Sequence, residues 1–122
     1  MKRCMIVDDS SVIRKVAKRI LAGPQMQIIE ASSGEEALSL CQAEMPDLIM
    51  VDGDLADMKA TDFIARIREI VGNNDMPRIA ICILEMDIGT IMRSKRAGAK
   101  GFIMKPFNRP ILIERFRELQ AA

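Results

Sequence analysis

Residues 48–51, Leu-Ile-Met-Val, are apolar at every position. A strand with one wet face alternates polar and apolar residues. An unbroken run has to be covered on both sides, as happens in a parallel sheet lying under helices. Similar runs occur at residues 4–7 and 79–84, with weaker ones at 26–30 and 101–104. Helical patterns fill the gaps between them. Ser10 and Ser11 can cap a helix whose apolar positions Val12, Ile13, Val16, Ala17, Ile20 and Leu21 share one face, and Gly23-Pro24 stops it. Ser33-Gly34-Glu35-Glu36 has capping-box spacing and opens a helix that runs towards Glu44 and ends before Pro46. Thr61 is placed to cap a third helix carrying Phe63, Ile64, Ile67, Ile70 and Val71. A fourth spans roughly 87–97 and ends at Gly98. Pro110 suits the first turn of a fifth, with Ile111, Leu112, Phe116 and Leu119 inward. Alternating strands and helices of this length predict one α/β domain over residues 1–122, a parallel sheet with helices on both faces. Ligands of such folds bind just beyond the carboxyl ends of the central strands.

Composition narrows the chemistry. Lys and Arg number 18 against 17 Asp and Glu, a net charge of +1, which gives no bulk attraction to nucleic acid or an anionic membrane. No apolar run is long enough to span a bilayer, and the N-terminal stretch turns acidic at Asp8, unlike a signal peptide. The expected setting is the cytoplasm. The chain has no His, which excludes His-based catalysis, His metal sites and a role as phosphohistidine donor. Cys4, Cys41 and Cys82 are too far apart for a zinc knuckle and are expected to be buried small hydrophobes. Tyr and Trp are absent and only 4 Phe are present, so a base-stacking platform is not expected. The 10 Met residues are core fillers, with some left for an adaptable surface.

Charge collects at three strand ends. The first strand runs into Asp8-Asp9, the third into Asp52 with Asp54 two residues on, and the fifth into Lys105. Taken singly, each is an ordinary cap or turn residue. Brought together by a parallel sheet, they form a crevice of carboxylates and one ammonium. Clustered carboxylates repel unless a cation or proton intervenes. Their oxygens suit Mg²⁺, which keeps waters or phosphate oxygens in its remaining positions. A metal and a Lys beside an Asp are what a carboxylate needs to accept a phosphoryl group.

The stretch Ile6-Val7-Asp8-Asp9-Ser10, the run Pro46-Asp47-Leu48-Ile49-Met50-Val51-Asp52, Ala97-Gly98-Ala99 and Lys105-Pro106-Phe107 together carry a resemblance. Over essentially its whole length the chain resembles the receiver domain of bacterial two-component response regulators, the CheY-like family. The resemblance implies a flavodoxin-like (βα)5 fold with a five-stranded parallel sheet. It implies that Asp52 is the phosphoacceptor. Asp8 and Asp9 would hold Mg²⁺ (or Mn²⁺), with Asp52 and the backbone carbonyl of Asp54 completing the protein ligands. Lys105 would contact the phosphoryl group, the Lys105–Pro106 bond would be cis, and Phe102 would be the switch aromatic.

Two features depart from the family pattern. The family has Ser or Thr at the end of the fourth strand. Counting forward from Asp52 puts that position at Cys82, and counting back from Lys105 puts it at Ile83; neither carries a hydroxyl. The loop after Asp52 has Leu55-Ala56 in place of the usual Met-Pro and Ala60 in place of Gly. Asp54 adds negative charge, which favours a cation and opposes an anionic phosphodonor, so tight divalent binding and an altered phosphorylation or dephosphorylation rate are expected. Arg93, Lys95, Arg96, Lys100, Arg109, Arg115 and Arg117 lie on the fourth helix, fifth strand and fifth helix, the family's usual output face. That face is either a solvated surface or a docking site for an acidic partner or an anionic ligand such as a nucleotide.

The expected function is a stand-alone response regulator, with no output domain, no DNA binding of its own and no membrane insertion. It would accept a phosphoryl group from a sensor histidine kinase, a phosphotransfer protein or a small phosphodonor, then change its affinity for a downstream target. It would not be an enzyme beyond its own phosphorylation and dephosphorylation. The rival is a degenerate receiver that binds partners without phosphorylation. A Mg²⁺-dependent phosphatase, with Asp54 as general acid, lacks room for a substrate-capping domain.

Overall fold

The computed structural model describes residues 1–122. Its strands are β1 (Lys2–Val7), β2 (Met26–Ala31), β3 (Leu48–Asp52), β4 (Arg78–Ile83) and β5 (Gly101–Met104). The helices that follow them are α1 (Ser11–Leu21), α2 (Gly34–Ala43), α3 (Ala60–Val71), α4 (Ile88–Ala97) and α5 (Arg109–Ala121). All strand pairs are parallel, in the order β2-β1-β3-β4-β5. The five-stranded parallel sheet predicted from the apolar runs is therefore present.

The runs are apolar on both faces because the sheet separates two cores. Met5, Val7, Ile49, Val51, Ile79 and Ile81 pack on one side with Leu38 of α2, Phe63, Ile64 and Ile67 of α3, and Ile91 of α4. Cys4, Ile6, Leu48, Met50, Ala80 and Cys82 pack on the other with Ala17 and Leu21 of α1 and Leu112, Phe116 and Leu119 of α5. Successive residues of one strand thus feed different cores. All three cysteines are free and buried. Burial pushes the Cys41 thiol up to about 11, with nearby Arg3 pulling slightly the other way.

Three helices begin as the sequence predicts. Ser10 Oγ accepts from Ile13 N at 3.3 Å, Ser33 Oγ from Glu36 N at 3.1 Å, and Pro110 lies in the first turn of α5. The capping box at α2 is displaced by one residue, since the Glu36 carboxylate takes the amide of Ser32 at 2.6 Å. Gly98 closes α4 at φ 131°, where a side chain would be strained and its Cβ would meet the Arg68 guanidinium at 2.7 Å.

Several expectations need correction. Thr61 does not cap α3. The helix starts at Ala60, whose amide goes to the carbonyl of Gly53 at 3.2 Å, so the loop after β3 does the work of a side-chain cap. Val12 and Val16 of α1 and Ile111 of α5 are exposed rather than inward. Each lies one position, about 100° of helix, away from the stripe that meets the sheet. β4 stops at Ile83, and Leu84 is 72% exposed.

Candidate functional site

In a sheet of this order the winding of strands reverses between β1 and β3, and the crevice beyond their carboxyl ends is the natural ligand site. Asp8 follows the last residue of β1, and Asp52 is the last residue of β3. Lys105 follows β5 and reaches back across the end of β4. Its ammonium lies 3.0 Å from Asp8 Oδ2 and 3.3 Å from Asp52 Oδ2, with its side chain only 9% exposed. The Lys105 amide donates to the carbonyl of Ile83 at 2.8 Å, which fixes where the side chain starts, and the Lys105–Pro106 bond is cis.

Each acidic residue has its own restraints. Asp8 is buried; Oδ1 accepts from the amide of Ser10 at 2.9 Å, and its own amide donates to the carbonyl of Ala31 at 3.1 Å. Arg14 of α1 donates to the Asp8 carbonyl at 2.7 Å, and its Nε donates to Glu30 of β2 at 3.1 Å. Asp52 Oδ1 accepts from the amide of Asp54 at 3.3 Å. Burial raises the Asp52 carboxyl above its ordinary value; the Asp54 amide and Lys105 oppose this, while Asp8 adds to it. Burial pulls the Lys105 ammonium down, but its hydrogen bond to Asp8 and the charge of Asp52 outweigh this and leave it raised.

Not every expected ligand converges. Asp9 is exposed and its Oδ2 accepts from the amide of Ala56 at 3.2 Å. Asp54 is exposed, touching the group through its backbone amide. No three acidic or thiol side chains stand close enough to enclose an ion by themselves. The donors are nevertheless all oxygens, and Mg²⁺ takes only one or two carboxylates and completes its shell with water or phosphate oxygens. Asp8 and Asp52, already within reach of one shared ammonium, fit that demand.

The two candidates on β4 face different sides of the sheet. Cys82 is in register with Asp52, whereas Ile83 belongs to the opposite core. Burial pushes the Cys82 thiol up to about 12, with Lys105 lowering it and Asp8 and Asp52 raising it, so the thiol sits within the field of the charged group. Beside it opens a cleft of about 450 Å³, lined by Asp52, Asp54, Lys59, Thr61, Thr90 and Arg93 among others.

The basic residues expected on one face divide. Arg93 lines that cleft and donates to Thr90 Oγ1 at 3.2 Å. Lys95, Lys100 and Arg115 line a separate hollow of about 150 Å³ beside Phe102. The Arg115 guanidinium lies 4.9 Å from the centre of the partly buried Phe102 ring and pairs with Glu118 at 3.3 Å. Arg96 is exposed and lines neither.

Three supports escaped the reading of the sequence: the Arg14–Glu30 pair, the Ala56 amide on Asp9, and Asp57. The Asp57 carboxylate accepts from the amides of Gly34 and Glu35, both at 3.0 Å, and so caps α2 from another loop. Arg14 alone left a trace, as a cation one turn after the Ser10 cap.

Residues 4–117 match the model of the response regulator receiver domain. The chain belongs to that family. This receiver domain is 31% identical over 114 residues to the chemotaxis protein CheY of Thermotoga maritima, covering 93% of this chain and 92% of that one. It is 33% identical to a probable transcriptional regulator, ycf27, of Guillardia theta, covering 95% of this chain but only 44% of the relative. Among solved structures, the chemotaxis response regulator CheY4 of Vibrio cholerae superposes with a TM-score of 0.87 at 26% identity, covering 98% of both chains. Receiver domains are two-component signalling domains rather than enzymes in general. Phosphorylation, Mg²⁺, histidine kinases and downstream targets are typical of the family. No helix of this chain is long and apolar enough to cross a membrane.

Proposed function

We propose that this receiver domain is a phosphorylatable switch acting in the cytoplasm, with Asp52 as the phosphoacceptor. The observation that carries the reading is the single ammonium of Lys105 held between Asp8 and Asp52. An oxygen of the Asp52 carboxylate forms a bond to phosphorus as the donor's P–N bond (from a phosphohistidine) or P–O bond (from an acyl phosphate) breaks, and the leaving group departs with that electron pair. Lys105, held against Asp52, would neutralise charge on the oxygens of the transferring group. Asp8 and Asp52, joined by Asp9 and the carbonyl of Asp54 as the family resemblance implies, would hold Mg²⁺ or Mn²⁺, which supplies positive charge to the transferring group when bound.

The phosphoryl group would come from a sensor histidine kinase, a phosphotransfer protein or a small phosphodonor. The signal would leave by a change in affinity for a target protein. The faces bearing Arg93, Arg96, Lys100 and Arg115, with Phe102 between α4 and α5, are the surfaces we assign to that readout. Cys82, a thiol beside Asp52 where the family resemblance leads one to expect a hydroxyl, favours a second reading: a binding module that works without phosphorylation. A thiol is a weak donor and supplies little pull on a phosphoryl oxygen.

Incubation with Mg²⁺ and acetyl phosphate, followed by intact mass, separates the two. A gain of one phosphoryl mass that disappears in Asp52→Ala supports the switch. An unmodified mass under conditions that label a CheY control supports the binding module.

A further inference from the structure

The acidic turn 8–10 is restrained at almost every polar atom, and one restraint comes from outside the expected site. Arg14 is the fourth residue of α1. Side chains of a helix lean towards its N-terminus, so this one folds back over the turn that precedes the helix. Its NH1 donates at 2.7 Å to the carbonyl of Asp8, the oxygen of the peptide that joins Asp8 to Asp9. Its Nε donates at 3.1 Å to Glu30 Oε1. Glu30 is fixed in turn, since it sits on β2 in register with Ile6 of β1, and its other oxygen faces Lys15 at 4.0 Å and Lys18 at 3.9 Å. The Arg14 and Glu30 side chains are only 14% and 21% exposed, so the pair is well shielded.

The Asp8–Asp9 peptide decides how the two carboxylates diverge. The Asp8 amide is held by Ala31, and its carboxylate by Ser10 and Lys105. The carbonyl is held by Arg14. A planar guanidinium can serve the carbonyl and Glu30 together through two separate nitrogens, whereas an ammonium is a single point donor.

We propose that Arg14, braced by Glu30, is a positioning residue that fixes the orientation of the Asp8–Asp9 peptide and thereby sets the divalent-cation affinity of the site. The inference rests on the reading of that site as a cation site. Its sign is informative. As a mere positive charge beside carboxylates, Arg14 would weaken cation binding, and removing it would tighten it. As a positioning residue, its removal loosens the ligands and weakens binding.

The test measures Mn²⁺ dissociation constants by electron paramagnetic resonance for the full chain, Arg14→Ala, Arg14→Lys and Glu30→Gln, with Mg²⁺ as competitor. Urea titrations of each variant confirm that the folded form is being measured. Supporting or replacing groups one step removed from a metal commonly changes affinity by tenfold or more, so Arg14→Ala should bind Mn²⁺ about tenfold more weakly. Arg14→Lys and Glu30→Gln should fall between it and wild type. Equal or tighter binding by Arg14→Ala, or a lowered urea midpoint with an unchanged constant, overturns the inference and leaves the cation site standing. If Arg14→Ala does not fold, Arg14→Lys and Glu30→Gln decide by the same criterion. Absence of Mn²⁺ binding in wild type overturns both readings.

Discussion

Replacing Lys105 with Met keeps most of the unbranched side chain and removes the charge that Asp8 and Asp52 share. Two contacts, at 3.0 and 3.3 Å, disappear. At an effective dielectric of about 20, each is worth roughly 5 kcal/mol of attraction before desolvation is subtracted. Most of that sum is offset by the cost of burying the ammonium. Breaking a buried pair by removing one partner costs about 3–5 kcal/mol. The lower end applies here, because Asp52 keeps 16% side-chain exposure and can take up a proton in place of the lost cation. A loss of about 3 kcal/mol, divided by an m-value of about 2 kcal/mol/M, moves the urea midpoint down by about 1.5 M. The chain has no Trp and no Tyr, so unfolding is followed by far-ultraviolet circular dichroism. The raised Lys105 value fixes the pH window: its contribution is fully present below its ordinary value of 10.5 and is lost as pH rises through the higher folded value. The part of the gap between wild type and Lys105→Met that comes from Lys105 titration should therefore be unchanged across neutral pH and be lost only in strong alkali. Adding Asp8→Asn to Lys105→Met should recover part of the loss. A Lys105→Met midpoint equal to that of wild type, at low salt and without added divalent ion, would refute the reasoning.

Asp52→Asn should raise the urea midpoint at neutral pH while abolishing phosphorylation. The folded-state value of Asp52 is raised, so its stability contribution is greatest below the ordinary carboxylate value and is lost as the group ionises; a lower midpoint for the variant counts against this. Cys82→Ser should lower the stability of the unphosphorylated protein by about 1–2 kcal/mol, because a hydroxyl replaces a thiol at a position only 4% exposed; an unchanged midpoint in denaturant would show that a partner is already waiting for it. Asp57 is held below its ordinary value by the amides of Glu35 and Gly34, so its contribution is present above pH 3.8 and lost as pH falls through the depressed value. Amide exchange at those two positions should speed up in Asp57→Ala and, in wild type, on acidification below that pH; equal protection in wild type and variant would count against the cap.

The sheet was legible because a strand buried on both faces leaves a run such as residues 48–51 that no exposed element would carry. The meeting of Asp8, Asp52 and Lys105 followed from the same fact, since parallel strands put all their carboxyl ends on one edge. Helix faces were less legible. Val12, Val16 and Ile111 are apolar and near the right stripe, and only the packed helix reveals that they miss it. The start of α3 was misplaced because a backbone carbonyl, Gly53, replaces a side-chain cap and leaves no mark in the sequence. Cys82 and Ile83 could not be separated by counting, since the two anchors lie on different strands and the loops between them vary in length; the ladder puts Cys82 opposite Asp52. Arg14 on Asp8 and Asp57 on α2 join residues that periodicity does not relate, so only the folded chain displays them.

Lys105 gives this domain an internal counter-ion. Two carboxylates that would otherwise push apart are balanced by the chain's own amine from the moment the strands assemble. The acidic edge of the sheet therefore carries its own compensating charge, which lowers the repulsion between its carboxylates without any added ion.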